Sequence, residues 1–352
     1  MATIKDVARS SGVSVATASR ALNSSPLVRE ATRVRVDTAA QALGYSPHGA
    51  ALSLITRRTR TLGLLLPDLS GEFFSELIRG VDEVARQEGY HLLVTSAHRG
   101  QEETQAALRS FRGRVDGLIT MTPHLDSGTS REALSAHCPV VSLCSPPGGL
   151  DIASVAIANF EGAYAMLEHL ASLGHRRIAI ICGDSGNFDA TERLRGYRVA
   201  RANLALDNDP DLEFPGDFSE AAGHEAAGLI LALRNRPTAV FAANDGMAIG
   251  AISGLREAGV RIPEDMALGG FDDIPMARYI DPPLTSVHVD IRALGARAAE
   301  RLLAGVRDRA HPDLRRETLP TTLVVRRSCG ANRGQERATA MAVPGPRNPT
   351  AP

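Results

Sequence analysis

The segment that decides the fold of the N-terminal region is Thr3 to Asn23, TIKDVARSSGVSVATASRALN. Thr3, followed three residues later by Asp6, is the pattern of a helix start with a capping box. Apolar residues then recur at the spacing of one helical face, Gly12 provides a turn, and Ser14 is placed to cap a second helix. Two short helices joined by a glycine turn are typical of the helix-turn-helix, whose second helix enters the DNA major groove.

Charge separates this region from the rest of the chain. Residues 1–60 hold nine Lys and Arg against three Asp and Glu, a net charge of +6. The 352-residue chain carries −1 in total, which leaves −7 on residues 61–352. A helical hairpin with no role in DNA binding would need no such basic excess. A basic module joined to an acidic body therefore favours a DNA-binding head.

Composition argues against several other kinds of protein. No apolar run approaches the roughly 20 residues that span a membrane, and the N-terminus lacks the apolar segment of a signal peptide, so we expect a cytoplasmic protein. The cysteines are scattered and form no CxxC pair, so the sequence predicts neither a disulfide framework nor a metal site.

The third helix of the head is predicted from Glu30 to Leu43, followed by Gly44 as a stop. Its inner face is expected to carry Val36, Ala39, Ala40 and Leu43.

From Thr61 onwards, short apolar runs alternate with amphipathic helices. This rhythm indicates βαβ units, which build a parallel sheet with helices on both faces. A second set of units begins near Ala163, so we predict two similar Rossmann-like lobes. We expect the chain to return to the first lobe after Pro283, with a helix at 291–304 and one closing strand at 318–325.

Polar and aromatic residues follow several of these predicted strands. Ligands in open α/β folds bind beyond the carboxyl ends of strands, so the cleft between the lobes predicts a small-molecule site. The candidates chosen by this rule are Asp68, Phe73, Phe74, Asn244, Asp245, Asp272 and Asp273. Asp245 has the alternative role of capping the helix that follows it.

The run from Thr3 to Asn23 closely resembles the start of the LacI/GalR family of bacterial transcription regulators, as do the later motifs VREATRVRV, LGYSP and ALSL. The resemblance extends to about Cys329. It implies an all-α helix-turn-helix head and an α/β, two-lobed body like that of periplasmic binding proteins, with two Rossmann-like parallel-sheet subdomains.

The expected boundaries follow from this resemblance and from composition. The parts are a head (1–47), a hinge helix or linker (48–60), an effector-binding and dimerisation body (61–329) and a disordered tail (330–352). Within the body, lobe 1 is expected to comprise about 61–160 and 289–329, and lobe 2 about 161–288. The tail is rich in Gly, Pro, Ala and Arg and has no apolar period.

The resemblance also assigns DNA contacts in the head. The expected contact residues are Ser14, Val15, Ala16, Thr17, Ser19, Arg20 and Asn23. Val15 and Ala16 take positions that relatives use to discriminate bases. Arg20 suits a bidentate contact to guanine, with a phosphate contact as its alternative. Asn23 is expected to end the helix or face a phosphate.

The hinge is expected to bind the minor groove through Ala51 and Leu54. Leu54 matches a leucine that relatives wedge into a central CG step, where an apolar side chain partly unstacks the bases. Gly49 departs from the family pattern because it lowers helix propensity by about 1 kcal/mol relative to Ala. A simple linker is the alternative for this segment.

The resemblance also assigns residues to the effector site. Relatives use an arginine that matches Arg193, an aromatic that matches Phe218, and two polar ligands that match Asn244 and Asp272. Arg114 is expected to reach in from the first lobe, with a surface ion pair as its alternative. Such donors and acceptors suit a sugar or a nucleoside.

The predicted function is that of a transcription regulator, and a repressor is the favoured type. A small molecule bound between the lobes would control its operator affinity. A homodimer would read a pseudo-palindromic operator. A solute-binding protein of a transport system is the alternative, but it requires a signal peptide. A nucleotide-dependent dehydrogenase would show a G-x-G-x-x-G turn or P-loop after a strand, and neither is present. We therefore predict no catalytic residue, cofactor or metal.

Overall fold

The computed structural model describes residues 2–23, 25–45, 58–97, 100–121, 138–146, 152–308, 314–331 and 341–342. The chain divides into two compact units, Met1–Thr59 and Arg60–Pro352. The predicted hinge contacts Ala51 and Leu54 lie outside the described residues.

The head consists of helices α1 (Ile4–Ser11), α2 (Val15–Leu22) and α3 (Glu30–Ala42). The Asp6 carboxylate accepts hydrogen bonds from the Thr3 backbone N–H at 3.0 Å and from its hydroxyl at 2.7 Å. Gly12 turns the chain with a φ of 65°, and Ser14 Oγ accepts from the Thr17 N–H at 3.1 Å. The predicted helix starts and glycine turn are thus confirmed.

A small apolar core joins the three helices. Its buried members are Val7, Ala8, Ala18, Ala21, Val28, Val36, Ala39 and Ala40. The prediction for Leu43 is wrong, since this side chain is 39% exposed. Leu43 is the C-cap of α3, so its side chain no longer follows the inner face of the helix.

Lobe 1 is built on a six-stranded sheet in which every pairing is parallel. Its strands are β1 (Thr61–Leu66), β2 (His91–Ser96), β3 (Gly117–Thr120), β4 (Val140–Leu143), β5 (Ala153–Ile157) and β11 (Arg316–Leu319), in the order β11-β5-β4-β3-β1-β2. Its helices are α4 (Glu72–Gln87), α5 (Gly100–Phe111) and α10 (Ile291–Arg307).

Lobe 2 is built on a seven-stranded sheet. Its strands are β6 (Ile178–Ile181), β7 (Glu213–Phe214), β8 (Ala239–Ala242), β9 (Ala267–Asp272), β10 (Thr285–His288), β12 (Thr322–Val324) and β13 (Met341–Ala342), in the order β13-β12-β10-β9-β8-β6-β7. Its helices are α6 (Asn159–Ser172), α7 (Phe188–Asn203), α8 (Glu220–Ala232) and α9 (Asp245–Glu257), with short 3-10 helices at Pro210–Leu212, Pro275–Arg278 and Arg327–Cys329. Strands β12 and β13 are antiparallel to their neighbours.

The central strands are buried over their whole length. Every residue of β3, β4, β6, β8 and β9 is buried. Continuous burial, rather than alternation, is expected for parallel strands that helices cover on both faces.

Within the described residues, the backbone passes between the lobes three times, at Ala158, at Val289–Asp290 and at Pro320–Thr321. The third passage corrects the prediction of one closing strand at 318–325. Pro320 separates β11, which pairs with β5 in lobe 1, from β12, which pairs with β10 in lobe 2. Residues 322–329 therefore belong to lobe 2 rather than to lobe 1.

The prediction of a disordered tail at 330–352 is wrong for four of its residues. Gly330 is the C-cap of the 3-10 helix Arg327–Cys329, and Ala331 packs against the core of the body. Met341 and Ala342 form β13, whose register pairs them with Leu323 and Thr322. Residues 332–340 and 343–352 lie outside the described residues. Across the described part of the chain, we find no helix with the length and apolarity of a membrane span.

Helices α4 and α10 of lobe 1 approach each other at two glycines. A Cβ atom placed on Gly80 would lie 2.0 Å from the Arg292 carbonyl oxygen, and one on Gly295 would lie 2.3 Å from the Leu77 carbonyl oxygen. The helix backbones are therefore in direct contact, and neither position has room for a methyl group.

Gly80→Ala is expected to destabilise the body by about 1–3 kcal/mol, because the helices must move apart to admit the methyl group. Urea unfolding of the full chain measures this change. The matched control is Gly228→Ala in α8, where no atom lies within 4 Å of the added carbon. This control should be neutral or stabilising by up to about 1 kcal/mol. Equal stabilities of the two variants would contradict the close helix contact.

Candidate DNA-binding face and effector site

The predicted recognition helix α2 turns the residues expected to contact DNA away from the core. Ser14, Val15, Ala16, Arg20 and Asn23 are exposed, and Thr17 and Ser19 are half-buried. The opposite face buries Ala18 and Ala21. The residues expected to contact DNA thus share one accessible surface of the head.

Local roles already occupy two of these residues. Ser14 caps α2 and lies 2.8 Å from the Thr17 hydroxyl. Asn23 is the C-cap, as expected for a helix-ending residue. The exposed guanidinium of Arg20 has no acidic partner among the described residues of the head, so its donors are available to a base or a phosphate.

The candidate effector site is centred on Arg193, which lies in α7 and is only 3% exposed. Its Nε donates to Asn159 Oδ1 at 2.8 Å, and Nη1 donates to the Ala243 carbonyl at 2.5 Å. Nη2 lies 3.0 Å from Asp272 Oδ1. A guanidinium has five N–H donors, so these three contacts do not use all of them.

Aromatic rings flank this guanidinium. The centre of the guanidinium lies 3.8 Å from the centroid of Phe271 and 5.9 Å from that of Phe218. Phe218 has a φ of 73°, and its ring fills the space where a side chain on Gly183 would lie. The predicted aromatic residue therefore belongs to the same group as Arg193.

Asp272 ends β9 and is almost fully buried. Asp272 and Asp273 have φ values of 104° and 55°, a region that costs most residues about 1–3 kcal/mol each. Asp273 is held by Arg326 Nη2 at 2.7 Å and lies 3.0 Å from His288 Nδ1. Backbone strain of this kind is typical of binding sites, where the surrounding contacts maintain it.

Asn244, and not Asp245, caps the helix that follows β8. Asn244 is the N-cap of α9, because its Oδ1 accepts from the Met247 N–H at 2.9 Å. Its Nδ2 donates to the Phe218 carbonyl at 2.9 Å, so its amide also supports the aromatic residue. Asp245 is buried and accepts from the Ile274 N–H and the Ser286 hydroxyl, so the alternative that Asp245 caps α9 is wrong.

The lobe 1 candidates lie at the carboxyl end of β1. Asp68 Oδ1 accepts from the backbone N–H groups of Leu69 and Ser70 at 2.6 and 3.0 Å, which orders the turn. Phe73 and Phe74 follow in the first turn of α4, with ring centroids 5.5 Å apart and planes nearly perpendicular. Both rings are half-buried against the core.

The structure corrects the assignment of Arg114 to the cleft. Arg114 is exposed and precedes β3, whereas Asp68 follows the parallel strand β1. The two residues therefore lie at opposite edges of the same sheet.

Sequence reasoning missed Asn159 and Asp189, both buried beside Arg193. Asn159 Nδ2 donates to Asp189 Oδ1 at 2.7 Å. Asp189 and Arg193 are four residues apart on α7, a spacing that places both on one helix face. That spacing was the available signal for Asp189.

The lobes also meet at the rim of the cleft. Glu72 at the start of α4 accepts a hydrogen bond from the Met276 N–H of lobe 2 at 2.7 Å. On another side, the Arg316 guanidinium of lobe 1 lies 5.5 Å from the Phe188 ring centroid of lobe 2.

Burial dominates the electrostatics of the carboxylates in this region. It raises the pKa of Asp272 to about 6, although the neighbouring Arg193 acts in the opposite direction. Burial also raises the pKa of Asp189, and it raises that of Asp245 well above the ordinary value. The Cys144 thiol has its pKa raised well above the usual range, again mainly by burial. It is therefore a neutral group at the end of β4.

Comparisons with known proteins agree with this architecture. Residues 3–48 match the family described as "Bacterial regulatory proteins, lacI family", and residues 167–329 match a "Periplasmic binding protein-like domain". The HTH-type transcriptional repressor PurR of Vibrio atlanticus (strain LGP32) is 37% identical over 314 residues, covering 88% of this chain and 94% of the relative. The chain belongs to the LacI family of bacterial regulatory proteins.

Solved structures of LacI-family proteins are similar over most of the chain. The lac repressor dimer bound to operator and the anti-inducer ONPF has a TM-score of 0.84 and 30% identity, covering 93% of this chain and 99% of that one. The complex of the regulator CelR with cellobiose has a TM-score of 0.70 and 30% identity, covering 93% of this chain and 100% of that one. The chain is accordingly a DNA-binding transcriptional repressor with an effector-binding domain. The family consists of transcription regulators, which are not enzymes.

Asp272 predicts a specific pH dependence of stability. Its pKa is about 6 when folded and 3.8 as the unperturbed value, so the folded state binds the proton more tightly. The contribution of Asp272 to the free energy of unfolding should therefore fall as pH rises from about 4 to 6 and stay constant above that.

Asp272→Asn removes this titration, so the difference in unfolding free energy between wild type and variant should change across this pH window. Urea unfolding between pH 4.5 and 7.5 measures it. Asp211→Asn, at an exposed position of lobe 2, is the control and should show a much flatter difference. A flat difference for Asp272→Asn would contradict the raised pKa.

Proposed function

We propose that this repressor binds a pseudo-palindromic operator as a homodimer and that a sugar- or nucleoside-like effector in the cleft controls its operator affinity. The observation that carries the effector site is the buried ion pair of Arg193 and Asp272. It lies at the carboxyl edge of the lobe 2 sheet, where open α/β folds bind ligands. The site would act in the bacterial cytoplasm, where operator DNA is found.

The chemistry of this site favours a polar, uncharged ligand with an apolar face. The free N–H donors of Arg193 would bond ligand oxygens or ring nitrogens, and Asp272 would accept from hydroxyl or N–H groups. Phe218 would lie against the apolar face of a sugar or base. The CelR structure holds cellobiose, and a LacI-family regulator from Enterococcus faecium holds ribose, which supports this ligand class.

DNA recognition would combine the head with the hinge. Arg20 would read a guanine, Val15 and Ala16 would contact thymine methyl groups, and the hydroxyls of Thr17 and Ser19 would hold phosphates. Two heads would read inverted half-sites, and Leu54 from each protomer would meet at a central CG step. The operator-bound dimer of the lac repressor supports this arrangement.

Regulation would follow from two arrangements of the lobes. An effector that binds one arrangement better than the other shifts the population and changes operator affinity by the ratio of its two affinities. Typical coupling of about 1–3 kcal/mol changes affinity about 5- to 150-fold. Whether the effector releases or recruits the repressor depends on which arrangement presents the heads to DNA.

Operator selection tests the DNA-binding proposal. Duplexes enriched from a random pool by the full chain should contain two inverted half-sites around a central CG. Arg20→Ala should then weaken binding to the enriched duplex by about 1–3 kcal/mol and relax the base preference at one position of each half-site. Fluorescence anisotropy at fixed salt measures both effects.

The control for this variant is Arg261→Ala, which removes the same charge from an exposed site paired with Asp265 in lobe 2. It should leave operator affinity within about twofold, because it lies outside the proposed interface. Equal losses in both variants would show that Arg20 acts only through net charge.

Arg193→Lys tests the effector site separately. Lysine keeps the positive charge beside Asp272 but cannot reproduce the planar fork of donors. The variant should retain operator binding and lose most of the response to whichever sugar or nucleoside of a screening panel changes the operator affinity of the wild type. Titration of operator complexes with that compound measures the response. An unchanged response would remove Arg193 from the effector site.

A further inference from the structure

The amide of Asn159 lies between a carboxylate and the guanidinium of the effector site. Its Nδ2 donates to Asp189 Oδ1 at 2.7 Å, and its Oδ1 accepts from Arg193 Nε at 2.8 Å. Asn159, Asp189 and Arg193 are 2%, 4% and 3% exposed. Water therefore cannot replace either bond, and breaking one would leave a buried polar group unsatisfied.

The two partners fix the orientation of this amide. An ionised carboxylate only accepts hydrogen bonds, and a guanidinium only donates them. The amide must therefore turn its NH2 group toward Asp189 and its oxygen toward Arg193. Asp189 thus orients Asn159, and Asn159 in turn orients Arg193 Nε.

Asn159 also occupies a particular place in the chain. It is the first residue of α6 and directly follows Ala158, where the chain first passes between the lobes. The Ala158 N–H donates to the Leu319 carbonyl at 3.0 Å, and the Thr321 hydroxyl donates to the Ala158 carbonyl at 3.3 Å. The first and third passages are therefore hydrogen-bonded to each other next to Asn159.

Close packing holds the start of α6 against lobe 2. A Cβ atom on Gly162 would lie 2.8 Å from a methyl carbon of Val287 and 2.9 Å from the Thr321 hydroxyl. The first turn of α6 consequently has little freedom to move independently of these neighbours. A displacement of Asn159 must be shared with the backbone at Ala158 or with the residues around Gly162.

We propose that Asn159 is a positioning residue that ties Arg193 to the passages between the lobes, so that an effector that moves Arg193 also moves the lobe connection. This inference rests on the proposed function in one respect, since it takes Arg193 as an effector contact. Asn159 itself need not touch the effector. Its role is to hold the Arg193 guanidinium in place and to pass any displacement of the guanidinium to the lobe connection.

A reciprocal exchange of side chains tests this role in the full-length protein. Asn159→Asp alone places two carboxylates in contact, whereas Asn159→Asp combined with Asp189→Asn restores one carboxylate and one amide of the same shapes. In the combined variant, the carboxylate at 159 can accept from both Arg193 Nε and the amide at 189. Asn203→Asp, at an exposed position at the end of α7, is the control for the added charge.

Three readouts separate positioning from a general loss of stability. The first is hydrogen exchange of the Arg193 Nε–H, observed by NMR on 15N-arginine-labelled protein and assigned with Arg193→Lys. The second is the melting temperature between pH 5 and 8, and the third is affinity for the selected operator. The titratable and charged groups that face Asp189 are Cys144, Arg193, Arg316 and Asp272, and the variants at 159, 189 and 203 retain all four.

Asn159→Asp should melt at progressively lower temperature than the control as pH rises, because two ionised carboxylates repel each other. Its operator affinity should differ from that of the control by about fivefold or more, the lower end of typical coupling. The exchanged pair should restore both properties. The inference is overturned if the exchanged pair folds without restoring them, or if Asn159→Asp matches the control in operator affinity and Arg193 Nε–H exchange.

Asp189→Asn decides the question if Asn159→Asp does not fold. This variant keeps the shape of the side chain but removes the carboxylate, so that the Asn159 amide is oriented only by Arg193 and by the Ile157 carbonyl, which accepts from Nδ2 at 3.4 Å. Exchange at Arg193 Nε–H should become about fivefold faster, as expected for the loss of one hydrogen bond. Unchanged exchange would overturn the inference. If the wild type enriches no operator, the proposed function fails, and the exchange and melting measurements still decide whether Asn159 positions Arg193.

Discussion

The burial of the Arg193 guanidinium is the constraint on which the effector site depends. Moving an arginine out of water costs several kcal/mol, and the cost is offset only if its donors and its charge find partners. Asn159, the Ala243 carbonyl and Asp272 supply those partners from three different segments of lobe 2. The ring of Phe271 covers the guanidinium face. These segments must therefore keep their relative positions for the charge to remain compensated.

This requirement accounts for the unusual backbone at the end of β9. Asp272 contacts Arg193 from a backbone conformation with positive φ, and Asp273 follows with a positive φ as well. The strain is balanced by neighbouring contacts, including the ion pair of Asp273 with Arg326. Buried Asp245 fixes the next turn by accepting from the Ile274 N–H. The carboxyl edge of the sheet is thus a network that connects the Arg193–Asp272 pair to the residues that support it.

Local patterns predicted the head and the alternation of strands and helices, because capping and periodicity act over a few residues. The predictions failed where the burial or pairing of a residue depends on its position in the folded protein rather than on its local sequence. Leu43 lies one residue past the end of α3, so its exposure depends on a boundary that periodicity places only within a few residues. The split at Pro320 depends on which sheet offers a partner to each side of the proline. Arg114 came from family resemblance, whereas the rule that favours residues after strands would have excluded it.

The sequence predicted some residues of the candidate effector site and missed others, for a similar reason. Resemblance nominated Arg193 and Phe218, and both resemblance and the position after a strand nominated Asp272; the structure brings the three together. It could not nominate Asn159 and Asp189 as partners, because their importance lies in an amide orientation that only the folded neighbours impose. The spacing of Asp189 and Arg193 marks these two as neighbours on one helix face. The contact of Arg193 with Asn159 joins distant segments, and no local spacing encodes it.

The contacts between the lobes have energies suited to regulation. The bond from the Met276 N–H to Glu72 is exposed, and such a bond contributes about 1 kcal/mol. The cation–π contact of Arg316 with Phe188 adds a similar amount. A few interactions of this size match the 1–3 kcal/mol by which effectors shift regulatory equilibria. The interior of lobe 2 is held far more strongly by its buried network. If an effector binds at Arg193, as we propose, the lobes would move relative to each other before the network around this arginine is disrupted.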